Sequence, residues 1–150
     1  MSNELNNFAD VAENIKQIRF NIEEAKVKYG RENDDIKVMA VTKTVPAEKV
    51  NFAVSRGFEL LGENRVQEFL QKKELYVKNA EINFIGHLQS NKIQYIIDSV
   101  TMIQSADSIA LAGEISKQAE KQGKVMDILC EVNIGGEESK SGFAPEAVYD

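Results

Sequence analysis

Hydrophobic positions change their period several times along the chain, and each change marks an element. From residue 3 to 30, Leu5, Phe8, Val11, Ile15, Ile18, Ile22, Ala25 and Tyr29 recur every three or four residues. That spacing lines one face of a helix. Glu4 favours the helix start and Gly30 its C-terminal stop. Arg31 to Asp35 is a charged connector. Ile36 to Val41 is apolar apart from Lys37 and too short for an ordinary helix, which predicts a buried strand. Polarity then changes abruptly at Thr42-Lys43-Thr44.

From there a pattern recurs. Pro46 to Arg56 is predicted helical, with Gly57 ending it. Phe58 to Leu61 is a short strand closing in Gly62-Glu63-Asn64, and Arg65 to Asn79 is helical. Ile82 to Ile85 is a strand closing in Gly86-His87, followed by a short helix from Ser90 to Asp98 that buries Ile93, Ile96 and Ile97. Val100 to Ile103 is a strand closing in Gln104-Ser105. Asp107 or Ser108 caps a helix running to Gln122, where Gly123 stops it. The last strand falls within Val125 to Ile134, a polar loop follows from Glu137 to Gly142, and Pro145 starts another helix.

Strands alternating with helices in this way predict an α/β fold with a parallel sheet and right-handed crossovers. The reading is one domain over residues 1–150, a parallel (β/α) barrel of TIM type. It is an incomplete barrel of about five βα units preceded by a helix, since a full barrel takes ~250 residues. The outer strands of an open sheet have unpaired backbone edges, which invites self-association.

Composition narrows the function classes. Net charge is −6, and the lysines are scattered rather than blocked, which argues against nucleic-acid and membrane-surface partners. No apolar run reaches the ~20 residues of a membrane span, and the N-terminus lacks the pattern of a signal peptide. The single cysteine, Cys130, lies in an apolar run and reads as a buried structural thiol. With one cysteine and one histidine there is neither an internal disulfide nor a dedicated transition-metal site, and the expected compartment is the cytoplasm.

The chemistry-bearing residues cluster at strand ends. Lys43, Asn64, His87, Ser105 and Asn133 all fall at the predicted carboxyl edge of the sheet, where α/β folds place their sites. A lysine there, once neutral, can attack a carbonyl and form a Schiff base. Each residue also has a plainer role: Lys43 as a solvated strand-end lysine, Asn64 and Ser105 as helix caps, His87 as a satisfied structural histidine, Asn133 as a loop anchor. Lys140 reads as a loop lysine paired with nearby glutamates, although a second cofactor contact is the alternative. Tyr76, Tyr95 and Tyr149 fall on predicted helices, as packing or surface residues.

Four stretches then carry a resemblance. They are Val41-Thr42-Lys43-Thr44, Leu61 to Glu68 (LGENRVQE), Phe84 to Lys92 (FIGHLQSNK) and Val132 to Gly142 (VNIGGEESKSG). In this order and spacing they resemble the pyridoxal phosphate homeostasis protein family, also called YggS- or PROSC-like. The resemblance implies a barrel like the N-terminal domain of alanine racemase. It implies pyridoxal 5′-phosphate held as a Schiff base on Lys43, with Asn64 beside the cofactor. It implies a protein that carries or buffers the cofactor for apo enzymes that depend on it, without established catalysis. Thr42 stands where serine is common in the family, and the family's C-terminal third, with its phosphate-gripping loops, has no counterpart here.

Two other readings remain open on the residues. One is a Schiff-base enzyme, either a racemase or decarboxylase using the cofactor or an aldolase using Lys43 directly. The other is a truncated or engineered barrel fragment that keeps the fold and no function.

Overall fold

The computed structural model describes residues 8–148. Within them, helix α1 (Ala9–Lys28) is followed by β1 (Met39–Val41), α2 (Ala47–Ser55), β2 (Leu60–Glu63), α3 (Val66–Lys72), β3 (Glu81–Phe84), β4 (Met102–Ala106), α4 (Ile109–Lys121) and β5 (Asp127–Cys130). Short 3-10 turns occupy Lys73–Leu75, Ser90–Tyr95 and Pro145–Ala147.

The strands form one sheet in the order β1-β2-β3-β4-β5, and every neighbouring pair is parallel. Right-handed crossovers between sequential strands return each connection to the same side. Accordingly Val50 and Val54 of α2, Phe69 of α3, and Leu111 and Ile115 of α4 share one core with Leu61, Ile82, Phe84 and Ile103 of the sheet. Helices on one face only, over sequentially ordered strands, define the wall of a partial (β/α) barrel.

Register fixes which residues share a face. Ala40 pairs with Leu61 and Leu61 with Ile82, and these three point to the helices. Val41, Gly62 and Asn83 share the opposite face. A Cβ on Gly62 would come within 2.7 Å of Met39 Sδ and 3.0 Å of Ile85 Cδ1, the ends of two flexible side chains.

Several boundaries differ from the sequence pattern, each for a physical reason. Leu5 and the start of the predicted 3–30 helix lie outside the described residues. In α1 only Ile15 is buried, while Ile18 and Tyr29 are exposed. This helix packs on α2, through Phe8 against Phe52 and a Lys49–Asp10 ion pair of 3.0 Å, and beyond it Arg19 lies over the Phe58 ring. The first strand shrinks to three residues, with Ile36 and Val41 half exposed, because β1 has a neighbour on one side only.

The helix predicted from 65 to 79 stops at Lys72, tightens to a 3-10 turn and leaves Tyr76 in extended backbone (ψ 143°). The segment from Ser90 is 3-10 rather than α-helical, yet it buries Ile93, Ile96 and Ile97 as expected. β4 begins two residues later than predicted, so Ser105 lies inside the strand. Ser108 caps α4, its hydroxyl accepting the Leu111 N–H. Pro145 opens only a 3-10 turn. Cys130 is exposed, not buried, because β5 is the outer strand and no described element covers its far side.

Candidate functional site

The carboxyl end of β1 leads directly into a tight turn. Val45 N–H donates to Thr42 O at 3.1 Å, closing residues 42–45 with Lys43 second and Thr44 third. Thr44 has φ 62°, the left-handed region. Positive φ at the third position alone belongs to a type II turn, where glycine or asparagine is usual. A β-branched residue held there costs roughly 1–3 kcal/mol, so the surroundings must hold it. Here they do: Glu68 Oε1 accepts the Thr44 N–H at 2.5 Å, and Thr44 Oγ1 donates to Lys43 O at 2.6 Å. Lys43 itself is exposed, and its amine has no hydrogen bond or ion pair among the described residues.

Beneath this turn lies a buried polar cluster. Alternation puts Glu63, the last residue of β2, on the helix-side face next to Phe84, where it is fully buried. Its Oε1 accepts from Thr42 Oγ1 at 2.6 Å and from the Tyr76 hydroxyl. Lys72 Nζ stands 3.4 Å from the same oxygen. Lys72 also donates to Thr42 O at 2.9 Å and Val45 O at 3.4 Å, and pairs with Glu68 Oε1 at 2.8 Å. Glu68 and Lys72 sit one turn apart on α3, the acid toward its N-terminus and the base in its last turn, an order that suits the helix dipole.

The cluster shifts its members' proton affinities. Burial alone pushes the Lys72 ammonium down, but the Glu68 hydrogen bond and the Glu63 charge outweigh it and hold the group above its ordinary value. The Lys72 hydrogen bond holds Glu68 below the usual carboxylate range, against a smaller effect of burial. Burial, then the hydrogen bond to Glu63, pushes Tyr76 up to about 12. A buried charge is tolerated only when paired and hydrogen-bonded, and Glu63 meets that condition at Oε1. Its Oε2 is buried without a partner.

The other predicted residues follow along the same carboxyl edge. Asn64 leaves β2 next to Lys43 and does not cap α3, since the cap position is Arg65 and carries no side-chain bond. Its backbone lies against Gly86, where a Cβ would fall 2.0 Å from Asn64 O; only glycine permits that approach. His87 is exposed, with Nδ1 3.5 Å from Asp107 Oδ2 at the exit of β4. Ser105 is buried in β4 with its hydroxyl unpartnered. It lies at a bulge: Ile103 pairs with Ile128 but Ala106 with Cys130, so three steps on β4 match two on β5.

Asn133 performs the plainer role, its amide donating to Glu137 O at 2.9 Å and Lys140 O at 3.4 Å within its own loop. Lys140 is exposed in that loop and makes no ion pair with the nearby glutamates among the described residues. The structure thus sets Lys43, Asn64 and His87 at the exits of three consecutive strands, with Ser105 inside the fourth.

Glu63, Lys72, Glu68 and Tyr76 carry the underpinning of Lys43; sequence reasoning reads Tyr76 as a packing or surface residue and gives the other three no role. A signal for two was present: Glu68 and Lys72 stand at i and i+4. Glu63 ends an apolar strand at an inward position, readable only once the register is known. Tyr76 gives no signal, because its role depends on the helix stopping early.

Comparison with known proteins places this arrangement. A family model described as alanine racemase, N-terminal domain, matches residues 14–150, and the chain belongs to that family. It is 42% identical over 138 residues to the pyridoxal phosphate homeostasis protein of Aquifex aeolicus, covering 91% of this chain and 60% of that one. The protein of the same name from Escherichia coli K12 is 35% identical over 138 residues, 89% of this chain and 59% of that one. The chain thus spans about 60% of the length of these curated relatives.

Among solved structures, an unknown protein from Bifidobacterium adolescentis superposes with a TM-score of 0.84 at 33% identity, over 92% of this chain and 60% of that one. PipY of Synechococcus elongatus, with PLP bound, gives a TM-score of 0.66 at 28% identity, over 81% of this chain and 58% of that one.

Proposed function

We propose that this chain binds pyridoxal 5′-phosphate (PLP) reversibly through Lys43 and carries or buffers it. The observation behind this reading is the setting of Lys43: an exposed, unengaged amine on a turn fixed from below. Relatives named for PLP homeostasis and a PLP-bound structural neighbour support the same ligand. When bound, PLP supplies an aldehyde whose carbon takes the amine nitrogen, while the carbonyl oxygen leaves as water.

The donor set fits that chemistry. Lys43 presents the amine, with Asn64 at the exit of the adjacent strand β2 and His87 at the exit of β3 beyond it. Ser105 offers a buried hydroxyl without a partner. Asn133 would join through its loop. His87, with Nδ1 3.5 Å from Asp107 Oδ2, would offer a ring nitrogen for a hydrogen bond at the β3 exit. The recipients on this reading are apo enzymes that require PLP, in the cytoplasm. No helix among the described residues is long and apolar enough to cross a membrane. The one-sided edges of β1 and β5 provide a route to self-association, and sedimentation velocity across a concentration series reads it directly.

The test is a visible spectrum of the protein mixed with PLP, beside the variant Lys43→Ala. A yellow band in the parent and its loss in the variant is the expected result. A band that persists in Lys43→Ala overturns the assignment to Lys43, and a folded parent with no band overturns the PLP reading.

A further inference from the structure

We propose that Lys72 is a positioning residue for Lys43: from α3 it clamps both flanks of the turn that presents the reactive amine. The inference rests on the Lys43 reading above. Its basis is the pattern of contacts from one ammonium. Lys72 Nζ donates to Thr42 O, the residue before Lys43, at 2.9 Å and reaches Val45 O at 3.4 Å, so it holds the first and last residues of the turn. On the far flank it acts through Glu68, which accepts the Thr44 N–H.

The turn contains a threonine in a left-handed conformation that such a residue does not adopt unaided. The side chains that hold Thr42 and Thr44 from below, Glu63 and Glu68, both meet Lys72, while Gly62 O accepts the Thr42 N–H at 3.1 Å. The groups facing the ammonium are Glu63, Glu68 and the Tyr76 ring, whose centroid lies 6.0 Å away. Lys72 Nζ reaches both carboxylates, 3.4 Å from Glu63 and 2.8 Å from Glu68, and so joins them. Lys73 next to it serves as a built-in contrast. It turns away to Ser99 Oγ at 3.1 Å and has no contact with the turn.

A residue that only stabilises the fold lowers the melting temperature and leaves a folded site unaltered. A positioning residue alters the site at temperatures where the protein is fully folded. The experiment compares parent, Lys72→Met and Lys73→Met by two readouts at such a temperature. The first, without cofactor, is hydrogen exchange at the Thr44 amide. The second is the PLP concentration that half-saturates the yellow band.

In Lys72→Met, Thr44 exchange should rise about tenfold or more and half-saturation should shift upward by a similar factor. Lys73→Met should match the parent in both. If Lys72→Met does not fold, Lys72→Gln carries the same test, since it removes the ammonium and keeps a polar side chain at the same buried position. Unchanged half-saturation in the folded variant overturns the positioning role while leaving Lys43 in place. Unchanged Thr44 exchange overturns the clamp itself. A parent protein with no band overturns the Lys43 reading instead, so the two failures are told apart.

Discussion

At the β1–β2 end of the sheet, a fully buried carboxylate gathers a threonine, a tyrosine and a lysine from three separate segments. At the β5 end, Leu129 and Cys130 are exposed and the loop beyond them is held mostly by its own backbone and by Asn133. Both ends belong to one parallel sheet with the same alternation. The difference lies in what covers them. Helices α2 and α3 cover β1 to β3, whereas β5 has only α4 on one flank. Order at the Lys43 turn is therefore built from neighbours in sequence, residues 42 to 76, and does not depend on the far end.

The largest break in this contrast should come from Glu63→Ala. It leaves Lys72 and Tyr76 buried around a void, and the expected loss is roughly 3–5 kcal/mol of unfolding free energy. Urea denaturation measures it, and a loss below about 1 kcal/mol would show that the cluster does not hold the fold. Tyr76→Phe removes one donor and keeps the ring. It should cost about 1–3 kcal/mol in the same assay.

Alkaline pH should loosen the same end. Tyr76 titrates at about 12 in the folded chain against 10.0 ordinarily, and Lys72 is also raised. The unfolded chain releases these protons first, so their stabilisation is complete below the ordinary values and declines as pH rises past about 10. Glu68 works in the opposite direction: its contribution is present above its ordinary value of 4.5 and fades as pH falls below that. Unfolding free energy followed from about pH 9 to 11 should fall more steeply in the parent than in Tyr76→Phe. The smallest effect belongs to the other end. Cys130→Ser should stay within about 0.5 kcal/mol of the parent, and a larger loss would show that β5 is covered after all.

How much of this was legible beforehand depended on range. Lys43 at the end of β1 and the alternation of strands and helices came from local period and polarity, and Ser108 from cap chemistry. These are short-range features that a sequence displays directly. The errors came where a distant partner decided the outcome. Tyr76 lies in extended backbone past its helix, with its hydroxyl donating to Glu63, thirteen positions earlier. Cys130 sits in a buried-looking run, yet it is exposed because nothing described packs on its far side. Val100 lies just before β4 in a buried turn rather than in the strand, because apolar content alone does not separate the two. The cluster under Lys43 joins three segments within residues 42 to 76, and local period and polarity do not link them.

The bulge in β4 has one more effect. A regular strand gives alternate residues to alternate faces, like a two-beat rhythm. Between Ile103 and Ala106 the rhythm takes an extra beat, and both of those residues are fully buried. Gln104 and Ser105 thus arrive in succession where a regular strand would have provided a single side chain. The edge of the sheet beside the candidate site carries two polar side chains in a row, Gln104 half-buried and Ser105 buried.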